Sequence, residues 1–123
     1  MVQMTVAALK ALAQAQAGGG CERCAPLAHP GWEAMPAGFA ERDLRQVGTL
    51  RDGSDEPTWE EHHPTGTRTW SPEAPIALRF HPCNRSDVWV CVGCGRPFLR
   101  YTEFGGYYVE QRVRLLDAAL IVD

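Results

Sequence analysis

Lysine is almost missing from this chain of 123 residues, since Lys10 is the only one among twelve basic residues. An arginine-dominated set suits forked contacts to carboxylates or phosphates better than diffuse attraction. An excess of positive charge is also missing: twelve basic residues face fifteen acidic ones, for a net charge of -3. That balance excludes a general polyanion binder and confines any nucleic-acid contact to a local patch. No apolar run approaches the roughly 20 residues a membrane-crossing helix needs, so no membrane partner is expected. The first residues lack the basic leading region of an export signal, and Gln3, Lys10, Gln14 and Gln16 interrupt their apolar character. Export is therefore not expected, even though Ala13 to Ala17 has a cleavage-like pattern. With no long low-complexity linker and no internal repeat beyond two paired cysteine motifs, residues 1–123 are expected to form a single domain.

What the chain does have in quantity is glycine and proline, 12 and 9 residues, beside an ordinary 45% of hydrophobic side chains. These breakers lie between short apolar segments, which predicts a loop-rich domain with a modest core that needs a staple. Three regions follow: an N-terminal helix in 1–20, a loop-rich insert in 21–86, and a sheet-forming region with an apolar tail in 87–123. Thr5 can cap a helix running to about Ala17, with Val6, Leu9, Leu12 and Ala13 on one face and Gly18 to Gly20 as its stop. Phe39 to Arg45 reads as one or two helical turns, and Gln46 to Arg51 as a short strand. A turn spans Asp52 to Pro57. Trp59 to Pro75 holds three prolines and fits neither helix nor central strand. Ile76 to Phe80 reads as a strand and His81 to Ser86 as a loop.

The stretch from Val88 to Leu116 reads as strand, tight turn, strand, glycine turn, strand. If Gly105 and Gly106 form a two-residue primed turn, Phe104 faces Tyr107, Thr102 faces Val109, Arg100 faces Gln111 and Phe98 faces Val113. The opposite face then pairs Glu103 with Tyr108, Tyr101 with Glu110 and Leu99 with Arg112. Leu115 to Val122 is expected to dock on the sheet as a strand or short helix. The fold class is α+β: one helix and a small, mainly antiparallel sheet.

Five cysteines are an odd number, and four of them form two Cys-x2-Cys pairs, Cys21 with Cys24 and Cys91 with Cys94. That is metal-site spacing more than a disulfide framework, and it suits a reducing cytoplasm. Together the pairs would make a closed four-thiolate site, structural in role, with zinc the expected ion and iron the minor option. Arg23 and Arg96 stand beside the two pairs and can offset the thiolate charge. His81 and Cys83 are the substitute ligands. A redox role for Cys91 and Cys94 fits poorly, because the motif leads from strand to strand instead of into a helix.

Residues 88–116, with Cys91-Val-Gly-Cys94-Gly95 at the first corner, resemble the zinc-ribbon and rubredoxin-like group. In that group Cys-x2-Cys-Gly knuckles sit at hairpin tips. The resemblance covers about a quarter of the chain and implies a bound metal more than a biological role. This sequence departs from it in the long insert between knuckles and in Ala25 following Cys24. Glu61-His62-His63-Pro64, between the two pairs, is similar to the core of His-Asn-His nucleases. There His62 would match the general base, with Asn84 as the middle residue, but the metal-binding helix that group places after its second knuckle is replaced by a strand pattern.

Arg96, Arg100, Tyr101, Tyr108, Arg112 and Arg114 lie on or beside the hairpin as a candidate contact surface, with Arg112, Arg114, Tyr101 and Tyr108 on one face and Arg100 on the other, able to meet an acidic protein or stack and pair with nucleic acid. The sequence thus points to a small, zinc-stabilised, non-enzymatic binding protein, an adaptor or inhibitor whose partner is another protein. An immunity protein neutralising a bacterial toxin and a metal-dependent nuclease are the alternatives.

Overall fold

A computed structural model describes residues 1–16 and 18–123. Its one α-helix, α1 (Val6–Ala15), begins as expected, with Thr5 Oγ1 accepting a hydrogen bond from the Ala8 amide at 3.1 Å. That bond satisfies one of the first amides, which have no partner within the helix. Leu9 and Ala13 are buried, with Val6 and Leu12 packed beside them, so the apolar stripe faces the core. The expected helix end at Ala17 lies outside the described residues.

Seven strands follow in chain order: β1 (Glu33–Ala34), β2 (Leu44–Thr49), β3 (Ile76–Ala77), β4 (Asp87–Cys91), β5 (Pro97–Phe104), β6 (Val109–Leu115) and β7 (Ile121–Val122). Five of them make an antiparallel sheet in the order β1-β6-β5-β4-β2, and β3 pairs with β7 in a small parallel sheet. The α+β class with a mainly antiparallel sheet is therefore what the chain adopts. The main sheet buries both faces. One face, with Val88, Leu99 and Tyr101, packs on α1 residues Leu9 and Ala13, on Trp32 and on Ile76 and Ile121. The other, with Phe98, Val113 and Leu44, covers Leu27, Cys24 and Cys91. Strand alternation explains the division, since adjacent residues of β5 point to opposite sides.

Several boundaries differ from the sequence reading. The helical turn expected in 39–45 is a single 3-10 turn, Glu41–Asp43, after which the chain is already in β2. The strand expected over 76–80 stops at Ala77, where the Phe80 amide folds back to the Ala77 carbonyl at 3.0 Å. β1 was hidden in a Pro- and Gly-rich stretch. The apolar tail forms the expected short elements, a 3-10 turn at Ala118–Leu120 and then β7.

The hairpin register moves by two residues. Phe104 pairs with Val109, Thr102 with Gln111, Arg100 with Val113 and Phe98 with Leu115, while Tyr101 pairs with Arg112. Neither Gly105 nor Gly106 takes a positive φ, so the primed turn does not form. The Gly105 amide instead bonds the Tyr108 carbonyl at 2.9 Å, and the turn centres on Gly106 and Tyr107. Gly105 serves close approach: a Cβ there would lie 2.5 Å from the Tyr108 ring. A shift of two keeps each side chain on its expected face and changes only its partner.

Candidate metal centre

The fold brings both cysteine pairs to one point. Cys91 ends β4 and Cys94 precedes β5, and between them the chain makes a knuckle. There the Gly95 amide bonds the Cys91 carbonyl at 2.8 Å and the Gly93 amide approaches Cys91 Sγ at 3.4 Å. Gly95 has φ +79, a conformation that favours glycine. Across from it, Cys21 and Cys24 sit on a turn closed by the Ala25 amide on the Cys21 carbonyl at 3.0 Å. The turn runs into a 3-10 segment, Ala25–Leu27, whose Leu27 is fully buried among the residues around Cys24 and Cys91.

All four sulfurs lie within 4.8 Å of one another, with Cys21 to Cys91 at 3.5 Å and Cys24 to Cys94 at 3.6 Å. These separations are far longer than a disulfide bond of about 2.05 Å. They match the edge of a tetrahedron of thiolates about 2.3 Å from a central zinc, which is roughly 3.8 Å. A site of this kind is compatible with a zinc-ribbon-like centre. Cys24 and Cys91 are buried and Cys21 and Cys94 half-buried, so the metal would be shielded on the inner side.

The electrostatics fit a cation. Burial pushes the Cys24 thiol up to about 12, and burial likewise raises Cys91. Cys21 is instead lowered to about 7, mainly by a hydrogen bond from the Cys24 amide and then by the Cys91 side chain. Crowded sulfurs of this kind resist ionising together, and a divalent ion reverses that balance. Arg23 and Arg96 lie alongside. A Cβ built on Gly93 would meet Cys21 Sγ at 3.1 Å and Arg23 Cδ at 3.2 Å, while Arg96 packs across Gly19 and Gly20.

The substitute ligands are elsewhere. Among the described residues, the four-cysteine group is the one cluster of three or more potential ligands with metal-site spacing. Cys83 is fully enclosed in the α1-facing core, where burial raises its thiol to about 11. His81 packs between Trp59 and Tyr101, at 5.0 and 6.2 Å between ring centroids, and its Nδ1 accepts a hydrogen bond from Arg85 Nε at 3.2 Å. Burial, and then the Arg85 charge, lower the His81 pKa.

The acidic-histidine motif is a locally closed cluster. His63 reaches Thr67 Oγ1 at 2.7 Å and Glu61 Oε1 at 2.8 Å, and Thr69 also bonds Glu61. His62 stacks on Phe80 at 4.9 Å, and Asn84 Nδ2 donates to the Thr58 carbonyl at 2.9 Å. His62 lines a cavity of about 10 Å³, room for roughly one water, and Asn84 is not part of its lining.

The hairpin cluster is split by the sheet. Arg114 is 0% and Tyr101 3% exposed on the α1-facing side, and Arg100 is 9% exposed on the other, where it bonds Glu41 at 2.8 Å. Arg112 stays half-exposed and pairs with Glu110 at 2.9 Å, and Tyr108 and Arg96 also reach the surface. The six residues therefore do not share one exposed face. The burial of Arg114 was not legible in the sequence, because an arginine between Val113 and Leu115 reads as the polar position of an alternating strand.

No family model, curated protein or solved structure matches the chain. Among the described residues, no helix is long and apolar enough to cross a membrane.

Proposed function

We propose that this is a small zinc-stabilised binding protein, an adaptor or inhibitor of another protein, in which the metal has a structural and not a catalytic role. The observation that supports this reading is the sulfur quartet itself: four thiolates complete a tetrahedral zinc and leave no coordination position for water or substrate. Cys21 and Cys91 are 70 positions apart in sequence, so a metal joining them restricts the unfolded chain as a cross-link would. The free thiols fit a reducing compartment such as the cytoplasm. Its net charge of -3 favours a protein partner over a nucleic acid.

The test is cobalt(II) substitution. The reading expects a tetrahedral thiolate absorption spectrum that azide leaves unchanged. A spectrum that shifts on adding azide would reveal an open coordination position and argue for catalysis instead.

A further inference from the structure

Strand β5 is longer than its neighbour on one side. β6 pairs with it from Phe98 to Phe104, whereas β4 pairs with it only from Pro97 to Arg100. In an antiparallel ladder each residue sends its N–H and C=O to the same side, and successive residues alternate. The Cys91 amide bonds the Arg96 carbonyl on the β4 side. On the β6 side the Leu116 amide bonds the Pro97 carbonyl and the Gly105 amide the Tyr108 carbonyl. Even-numbered positions of β5 therefore face β4. Thr102 and Phe104 direct their backbone groups past the end of β4, and among the described residues no backbone bonds them there. An open edge of this kind is a template for another strand.

A groove of about 900 Å³ lies beside that edge, lined by Thr102 and Phe104 together with Trp59, Arg85, Asp52 and Asp55. Trp59 and Phe104 are 71% and 76% exposed, which leaves two large apolar side chains flanking the groove. Trp59 is held in place by Arg85, whose guanidinium stacks 3.6 Å from its ring centroid and donates to the Pro57 carbonyl. The groove lining also holds buried polar atoms without partners: the acceptor Asn84 Oδ1 and the donors Trp89 Nε1 and Arg100 Nη1. A simple anion could answer only the donors, whereas a peptide carries both kinds of group.

Charge decides the partner. Arg51 is paired with Asp87 and Arg100 with Glu41. Among the described residues of the lining, Asp52, Asp55 and Glu103 have no ion pair, although Glu103 lies in the field of Arg112, against Arg85 and the Met1 amino group as the cations without a carboxylate. A second copy of this chain would set the same carboxylates against each other, which like-charge repulsion disfavours. We propose that the free edge of β5 docks an extended, basic segment of a partner protein. The segment adds as a strand beside Thr102 and Phe104, with its Lys or Arg side chains toward Asp52, Asp55 and Glu103 and its apolar ones against Trp59 and Phe104. This rests on the reading of the chain as a binding protein and names the surface that does it.

The experiment titrates the ¹⁵N-labelled, zinc-loaded full chain with a pool of hexapeptides alternating Lys or Arg with Val, Ile, Thr or Phe. The controls are the same pool N-methylated at every residue and a pool with Glu in place of Lys and Arg. The basic pool should shift the Thr102 and Phe104 amides and slow their hydrogen exchange, and both controls should fail. An Asp55→Lys, Glu103→Lys variant, with its spectrum otherwise intact, should bind about tenfold more weakly. Unmoved Thr102 and Phe104 amides, or equal binding of the acidic pool, would overturn the proposal. If the acidic pool instead shifts amides around Arg96 and Arg112, the groove is wrong while the binding-protein reading survives; an azide-sensitive cobalt spectrum defeats that reading independently.

Discussion

Arg114 is the residue whose environment asks most of the fold. It is fully buried, donates through Nη2 to the Ala74 carbonyl at 3.2 Å, lies 5.9 Å from the Trp32 ring, and leaves Nε and Nη1 without partners. Burial lowers its pKa, against the opposing influence of Cys83 and Asp117. A buried charge with incomplete pairing is often replaced by an apolar side chain of similar length at no cost in stability. Arg114→Met is therefore expected to unfold in urea at the same concentration as the parent or a higher one. Arg114→Ala, which leaves a cavity, should lose about 2 to 4 kcal/mol. His81 gives a second residue-level test. Its pKa is lowered on folding, so the unfolded chain takes up a proton first as pH falls. Stability should decline as pH drops below the unfolded histidine value of about 6.5, and that decline should be shallower in His81→Gln. Urea titrations from neutral pH downward measure both slopes.

At the level of elements, local signals were readable where the chain itself supplies the chemistry. Thr5 before an alanine-rich run marked the start of α1, and replacing it with alanine should cost about 1 kcal/mol by loss of the cap. Thermal denaturation of Thr5→Ala against the parent checks this. Cys91-Val-Gly-Cys94-Gly95 marked the knuckle for the same reason, since its turn needs only its own residues. The hairpin was legible only to its faces. Its register depended on which two residues turn, and the turn falls at Gly106 and Tyr107, where the Tyr108 ring lies against Gly105. β1 was illegible because it exists only by pairing with β6, whereas β3 was legible as a strand but not in its length, which its pairing with β7 limits to Ile76 and Ala77. That the face of the sheet carrying Arg114 is covered was decided by packing against α1, an element far from it in sequence.

For the whole molecule, the quartet joins the segment after α1 to the corner between β4 and β5, and Leu27, Met35, Phe39 and Leu44 of the loop-rich insert pack beside that join. Long stretches of the insert have no helix or strand, including 50–75, and are held by contacts such as Arg85 on Pro57 and Asn84 on Thr58. A chain of this kind gains much from a cross-link between its ends. Metal removal should therefore lower the melting temperature sharply, and zinc affinity should rise with pH, because the raised Cys24 and Cys91 thiols must release protons to bind. The most direct measurement is zinc content per chain in the purified parent and in a Cys21→Ser, Cys24→Ser double variant. One zinc in the parent, lost in the variant, is the predicted result. Full zinc retained by the variant would contradict it and place the metal away from the quartet.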